Sequence, residues 1–170
     1  MDVSMIVVRL IHILGGIFWV GAMIFVMRFL MPAMVEAGPD GGKVMAGIMR
    51  RGYTQAMMVA GILVILSGLY LYWRVSAGFD RHYLESRPGH TYAFGGIFAI
   101  IAFTIGVSIT RPAMMKATAL TQSASGATGA EKDTLLAQAQ ALRIRGAKAG
   151  KIVMWLLILS TITMAIGRYV

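Results

Sequence analysis

The stretch RLIHILGGIFWVGAMIFVMRFLMPAM, Arg9 to Met34, holds one ionisable side chain, His12, between Leu10 and Met27. A helix rises about 1.5 Å per residue and the hydrocarbon core of a bilayer is about 30 Å thick, so such a run reads as a membrane span. Three more blocks follow the same pattern, because Gly52 to Trp73, Thr91 to Thr110 and Ile152 to Gly167 contain no charge. The last is short between Lys151 and Arg168, but basic side chains at helix ends reach back to the headgroups. The 170 residues are 58% hydrophobic and 14% charged, against about 25% charged in soluble domains. A soluble four-helix bundle would need a polar face on every helix, and none of the blocks has one. The expected fold is therefore all-α: an integral membrane four-helix bundle, a single transmembrane domain over 1–170, with spans at about 5–31, 50–74, 90–111 and 150–168. Asp2 in place of a basic leader region, and the lack of a small-residue cleavage site, argue that the first span is retained.

Lysine and arginine set the orientation. If ends and loops alternate sides, one face receives Arg9, Arg74, Arg81, Arg87 and Arg168, and the other receives the remaining eleven of the 16 basic residues. The positive-inside rule makes the richer face cytoplasmic and puts both termini on the outer, periplasmic side of a bacterial inner membrane. Tyr70, Tyr72 and Trp73 then form an outer aromatic belt on the second span. The net charge of +9 follows from this bias and implies no nucleic-acid partner; membrane lipid, anionic at the inner leaflet, is the expected one.

Between the spans, Gly38-Pro39-Asp40-Gly41-Gly42 predicts a tight cytoplasmic connection from Met34 to Lys43 that interrupts the helix. Thr121 to Gly129 predicts a flexible turn. Glu131 to about residue 150 predicts a cytoplasmic helical extension of the fourth span, with acids at its start and Arg143, Arg145 and Lys148 later. No internal repeat is strong enough in the sequence to argue from.

An ionisable residue inside a span is costly and is a functional hypothesis by default. His12 shares a helical stripe with Met5, Arg9, Gly16, Trp19, Met23 and Met27, and that stripe should face the bundle. Gly16, one turn below His12, leaves room for a flat ring, and Arg9, one turn above, suits carboxylates at the interface. These features fit a porphyrin whose iron takes imidazole. His90 is the candidate second ligand, with Tyr92 in the same pocket, and His82 precedes it in the outer loop. The plainer reading is that His12 hydrogen-bonds a neighbouring helix while the glycines serve close packing. With no cysteine, soft-metal ligation would fall to the 14 methionines. Met23, Met27 and Met31 succeed one another at four-residue steps and, with His12, His82 and His90, form a candidate copper path, although methionine also fills gaps between helices.

On His12, Trp19, Gly21, Arg28, Phe29 and Pro32, the first helix resembles the opening helix of the superfamily that includes CopD-like copper-resistance membrane proteins and HemJ-type protoporphyrinogen oxidases. The resemblance implies a haem-contacting role for His12. HemJ-type proteins also require a lysine within a later helix, which has no counterpart here because Lys148 and Lys151 lie at the end of the fourth span. CopD-like proteins imply copper handling, but their longer architecture is absent.

The expected function is a b-type haem-binding membrane protein with a redox or electron-transfer role near the outer leaflet, and a membrane oxidoreductase with a quinone or redox-protein partner fits that expectation. Two alternatives stay open: a copper-handling protein on the same histidines with Met23 and Met27, and a metal-free structural or partner-binding bundle. Glycine-rich helices also allow a homodimer.

Overall fold

The computed structural model describes residues 3–170, with backbone alone at 39 and 40; Met1 and Asp2 lie outside it. The described residues form helices and no strand. Helix α1 spans Val3–Glu36, α2 Pro39–Arg50, α3 Tyr53–Val75, the short α4 Arg81–Leu84, α5 Arg87–Ala124 and α6 Gly129–Ile166. Four of them, α1, α3, α5 and α6, are long and apolar enough to cross a membrane.

The distribution of side chains is inverted relative to a soluble bundle. Ala60, Ala99, Ala102, Ala113, Ala117 and Ala139 are buried, while Ile17, Leu66 and Trp155 are each at least 60% exposed. Lipid is as apolar as leucine, so helices in a bilayer gain most by close backbone approach at small residues, and their large apolar side chains face the acyl chains. The multi-pass membrane reading therefore rests on packing as well as composition.

α1 packs chiefly on α3, and α5 chiefly on α6; the two pairs join through α3–α5 and α1–α6 contacts. In the middle of the bundle Trp19 of α1 meets Phe103 of α5 edge to face, with ring centroids 6.2 Å apart. Gly61 of α3 makes this meeting fit, since a β-carbon there would lie 2.6 Å from Phe103 and 3.2 Å from Trp19.

The helix ends correct two expectations. The connection after α1 is only Ala37 and Gly38, with Gly38 in a positive-φ conformation, and Pro39 opens a new helix instead of breaking one. Proline at the first helical position forgoes an N–H that would be unpaired there anyway. Gly41 is required for this corner, because a β-carbon would come within 2.0 Å of the Met34 carbonyl oxygen. The expected turn over Thr121 to Gly129 is shorter too, since α5 continues to Ala124 and α6 begins at Gly129. There Arg143 Nη2 donates to Thr121 Oγ1 at 2.9 Å and ties the two extensions together.

The structure also contains an internal repeat. α1 and α5 each carry one π-helical turn, Val26–Leu30 and Gly106–Thr110, closed by Met31 N–H to Val26 O and Arg111 N–H to Gly106 O. Both precede a proline, Pro32 and Pro112, which cannot donate to the carbonyl four residues back. The two turns lie eighty residues apart, and at that offset eight of the twenty positions in 15–34 and 95–114 are identical, including Gly-Gly-Ile-Phe and Pro-Ala-Met. Gly15 and Gly95 both mark close approaches, to Val64 of α3 and to Thr163 and Met164 of α6. Ser67 and Ser160 are buried within the similar runs LVILSG and LLILST of the partner helices. The α1–α3 and α5–α6 hairpins thus share these local features, at an offset of 80 residues on their first helices and 93 between Ser67 and Ser160 on their second.

Candidate functional site

Two places in the bundle concentrate polar or soft side chains, one at the histidine end and one at the basic end. At the histidine end, His12 is half-buried between α1 and α3. Its Nδ1 lies 2.9 Å from the Val64 carbonyl oxygen and 3.2 Å from Ser67 Oγ. A carbonyl only accepts, and Ser67 already donates to backbone carbonyls of its own helix, so Nδ1 carries the proton and the Nε2 lone pair is left free. The ring lies against Gly68, where a β-carbon would be 2.8 Å from Cε1. At Gly16, one turn along, a β-carbon would meet nothing within 4 Å.

The other expected members of a haem pocket are dispersed. Arg9 is exposed. Trp19 is in the central core against Phe103 and Gly61. Tyr92 packs on α6, where a β-carbon at Gly167 would fall 2.6 Å from its ring. His90 is exposed on the first turn of α5 and His82 is exposed on α4, and neither shares a hydrogen bond with His12. Among the described residues, no group of three or more histidines and carboxylates is placed to hold a metal ion.

The loop between α3 and α5 is itself well built. Asp80 caps α4 by accepting from the backbone N–H groups of His82 and Tyr83 at 3.0 and 3.2 Å. Tyr72 donates to the Gly89 carbonyl at 3.0 Å, and Ser86 caps α5 by accepting from Gly89 N–H at 3.1 Å. Burial and the neighbouring Tyr92 and Tyr72 hydroxyls push the Tyr83 phenol above its ordinary range. These bonds account for the loop as a structural cap.

At the basic end, a cavity of about 110 Å³ lies between α1 and α5, with Trp19 and Phe103 in its lining. Met23, Met27 and Met31 of α1 line it together, so the four-residue methionine steps converge on one space. Met45 and Met49 of α2, Met57 and Met58 of α3 and Met114 of α5 join them. Gly146 and Gly150 of α6 admit the thioethers, since β-carbons there would lie 3.1 Å from Met114 Sδ and 2.7 Å from Met27 Sδ. Tyr53, Thr54, Thr110 and Arg111 supply the polar lining. Met49 and Thr54 also line a neighbouring groove with Arg50, Gln55 and Gln122.

Sequence reasoning missed this cavity and placed Arg111 simply among the helix-end charges. The available signal was the recurrence of Pro-Ala-Met at Pro32 and Pro112, preceded by Leu30-Met31 in one copy and Thr110-Arg111 in the other. No family model matches the chain, and no curated protein or solved structure matches it.

Proposed function

We propose that this multi-pass membrane protein binds a b-type haem through His12 and serves a redox or electron-transfer role at the histidine end. In this reading the basic end is cytoplasmic and both termini are periplasmic, in a bacterial inner membrane. The observation that carries it is the Nδ1 hydrogen bond of His12 to the Val64 carbonyl. Metal-ligating imidazoles commonly donate their second ring N–H to such an acceptor, which fixes the tautomer and raises the basicity of the ligating nitrogen. The open space beside Gly16 and the exposed Arg9 one turn above suit a flat ring with outward carboxylates. The likeness of the first helix to CopD-like and HemJ-type proteins supports the same position. The bound group would supply reversible one-electron chemistry, tuned by burial and axial ligand.

A second reading, copper handling, is supported by the methionines that converge on the cavity. The Arg111 side chain lining the same space weighs against a cation there, since like charges repel strongly in a medium of low dielectric constant.

Purified protein expressed with haem supply should show a Soret band that shifts on reduction. His12→Ala should lose it, and His90→Ala tests the second ligand. Colourless protein with stoichiometric copper would replace the haem reading with the copper one, and protein free of both would leave a structural bundle.

A further inference from the structure

A groove of about 240 Å³ lies between the corner that joins α2 to α3 and the part of α5 beyond Arg111, and its polar lining is Arg50, Thr54, Gln55, Thr118 and Gln122. The threonine protons are already used, since Thr54 Oγ1 donates to Met49 Sδ at 3.0 Å and Thr118 Oγ1 donates to the Met114 carbonyl at 3.0 Å. Among the described residues, no hydrogen bond or ion pair engages the side chains of Arg50, Gln55 or Gln122, and all three residues are exposed. Arg143, at the same end of the bundle, behaves differently: its guanidinium lies over Gly42 and donates to Thr121. No carboxylate of the described residues lines the groove, so the charge of Arg50 is uncompensated there. α3 also starts beside it on Gly52 with no side-chain cap, and its first N–H groups add positive partial charge.

The level of the groove in the bundle selects its occupant. Arg50 stands just before the uncharged run from Gly52 to Trp73, and Met115 to Gln122 follow the uncharged run that ends at Thr110. The groove is therefore where two spans leave the hydrocarbon, at the depth of the lipid head groups. Met49 and Met115 give it an apolar wall beside the cationic one, which suits the junction of a phosphate with a glycerol ester. A guanidinium offers paired N–H donors to phosphate oxygens, and glutamine amides can donate to those that remain. With no carboxylate to meet an ammonium group, a head group of net negative charge fits better than a zwitterionic one. We propose that this groove binds the head group of an anionic phospholipid, its phosphate held by Arg50 together with Gln55 and Gln122. The site needs neither the haem at His12 nor a particular assignment of the leaflets.

Native mass spectrometry of the purified protein in detergent, titrated with phosphatidylglycerol, should show one lipid per chain held in preference to phosphatidylethanolamine. Arg50→Gln should weaken that binding about fivefold, the contribution of a single cation at the membrane surface. Gln122→Leu should weaken it about two- to threefold, as the loss of one hydrogen bond does, and tests the site even where Arg50→Gln alters folding. Arg145→Gln, which removes an exposed cation of α6 outside the groove, should bind as the unaltered protein does. Equal losses in the Arg50 and Arg145 variants would mean a diffuse attraction to the whole basic end and overturn the proposal. So would equal binding of the two lipids. Displacement of the lipid by an equal concentration of glycerol 3-phosphate would also overturn it, by making the ligand a soluble phosphate ester.

Discussion

At the scale of single residues, His12 and its neighbours show how a glycine can matter through what it touches. Gly68 of α3 lies against the imidazole, where a β-carbon would strike the ring at 2.8 Å, while a β-carbon at Gly16, one turn along α1 from His12, would meet open space. Gly68→Ala should therefore lower stability by about 1–3 kcal/mol, the usual range for overpacking. Gly16→Ala should not lower it, since the methyl group has room and alanine favours a helix interior by up to about 1 kcal/mol over glycine. Thermal denaturation in detergent compares the two, and equal melting temperatures would contradict the placement of His12 against α3. If haem binds as proposed, Gly68→Ala should also reduce its incorporation, because the ring would be moved off the Val64 carbonyl.

At the scale of elements, the spacing of helices depends on which atoms meet the small residues. Gly61 on α3 faces the rigid rings of Phe103 and Trp19, whereas Gly150 on α6 faces the mobile end of Met27. A methionine can swing its thioether aside at little cost, and an aromatic ring wedged between two helices cannot. Gly61→Ala should thus destabilise the bundle by about 1–3 kcal/mol. Gly150→Ala should be tolerated to within about 1 kcal/mol for the same reason, and melting curves of the pair decide it. The π turns belong to this scale as well: each proline removes a donor, and the backbone answers with a wider turn whose closing bond skips one residue further.

For the whole molecule, the α1–α3 and α5–α6 pairs leave a space between α1 and α5, with the histidines at one end and most of the cations at the other. The orientation is open to a direct test because the protein has no cysteine. His82→Cys, on an exposed part of α4, should react with a membrane-impermeant maleimide added outside intact cells. Ser125→Cys, exposed between α5 and α6, should react only after permeabilisation. The reverse pattern would invert the topology and turn the His12 site toward the cytoplasm.

The sequence by itself determined that four helices cross a membrane, because burying an uncharged run in lipid is a local property of each segment and is additive along it. It also determined that Met23, Met27 and Met31 share one face, since helical periodicity is local too. The proline at position 39 was legible as a turn signal but not as a helix start, a choice that depended on Gly41 fitting beneath the Met34 carbonyl. Only the tertiary structure decided that His12 engages Val64 and Ser67, that Tyr92 lies on Gly167, and that His90 stays exposed. It alone brought Thr110 and Arg111 to the methionine cavity as donors without acceptors. These outcomes depend on which helix lies beside which and at what rotation, and that is settled by the fit of small residues across interfaces far apart in the chain.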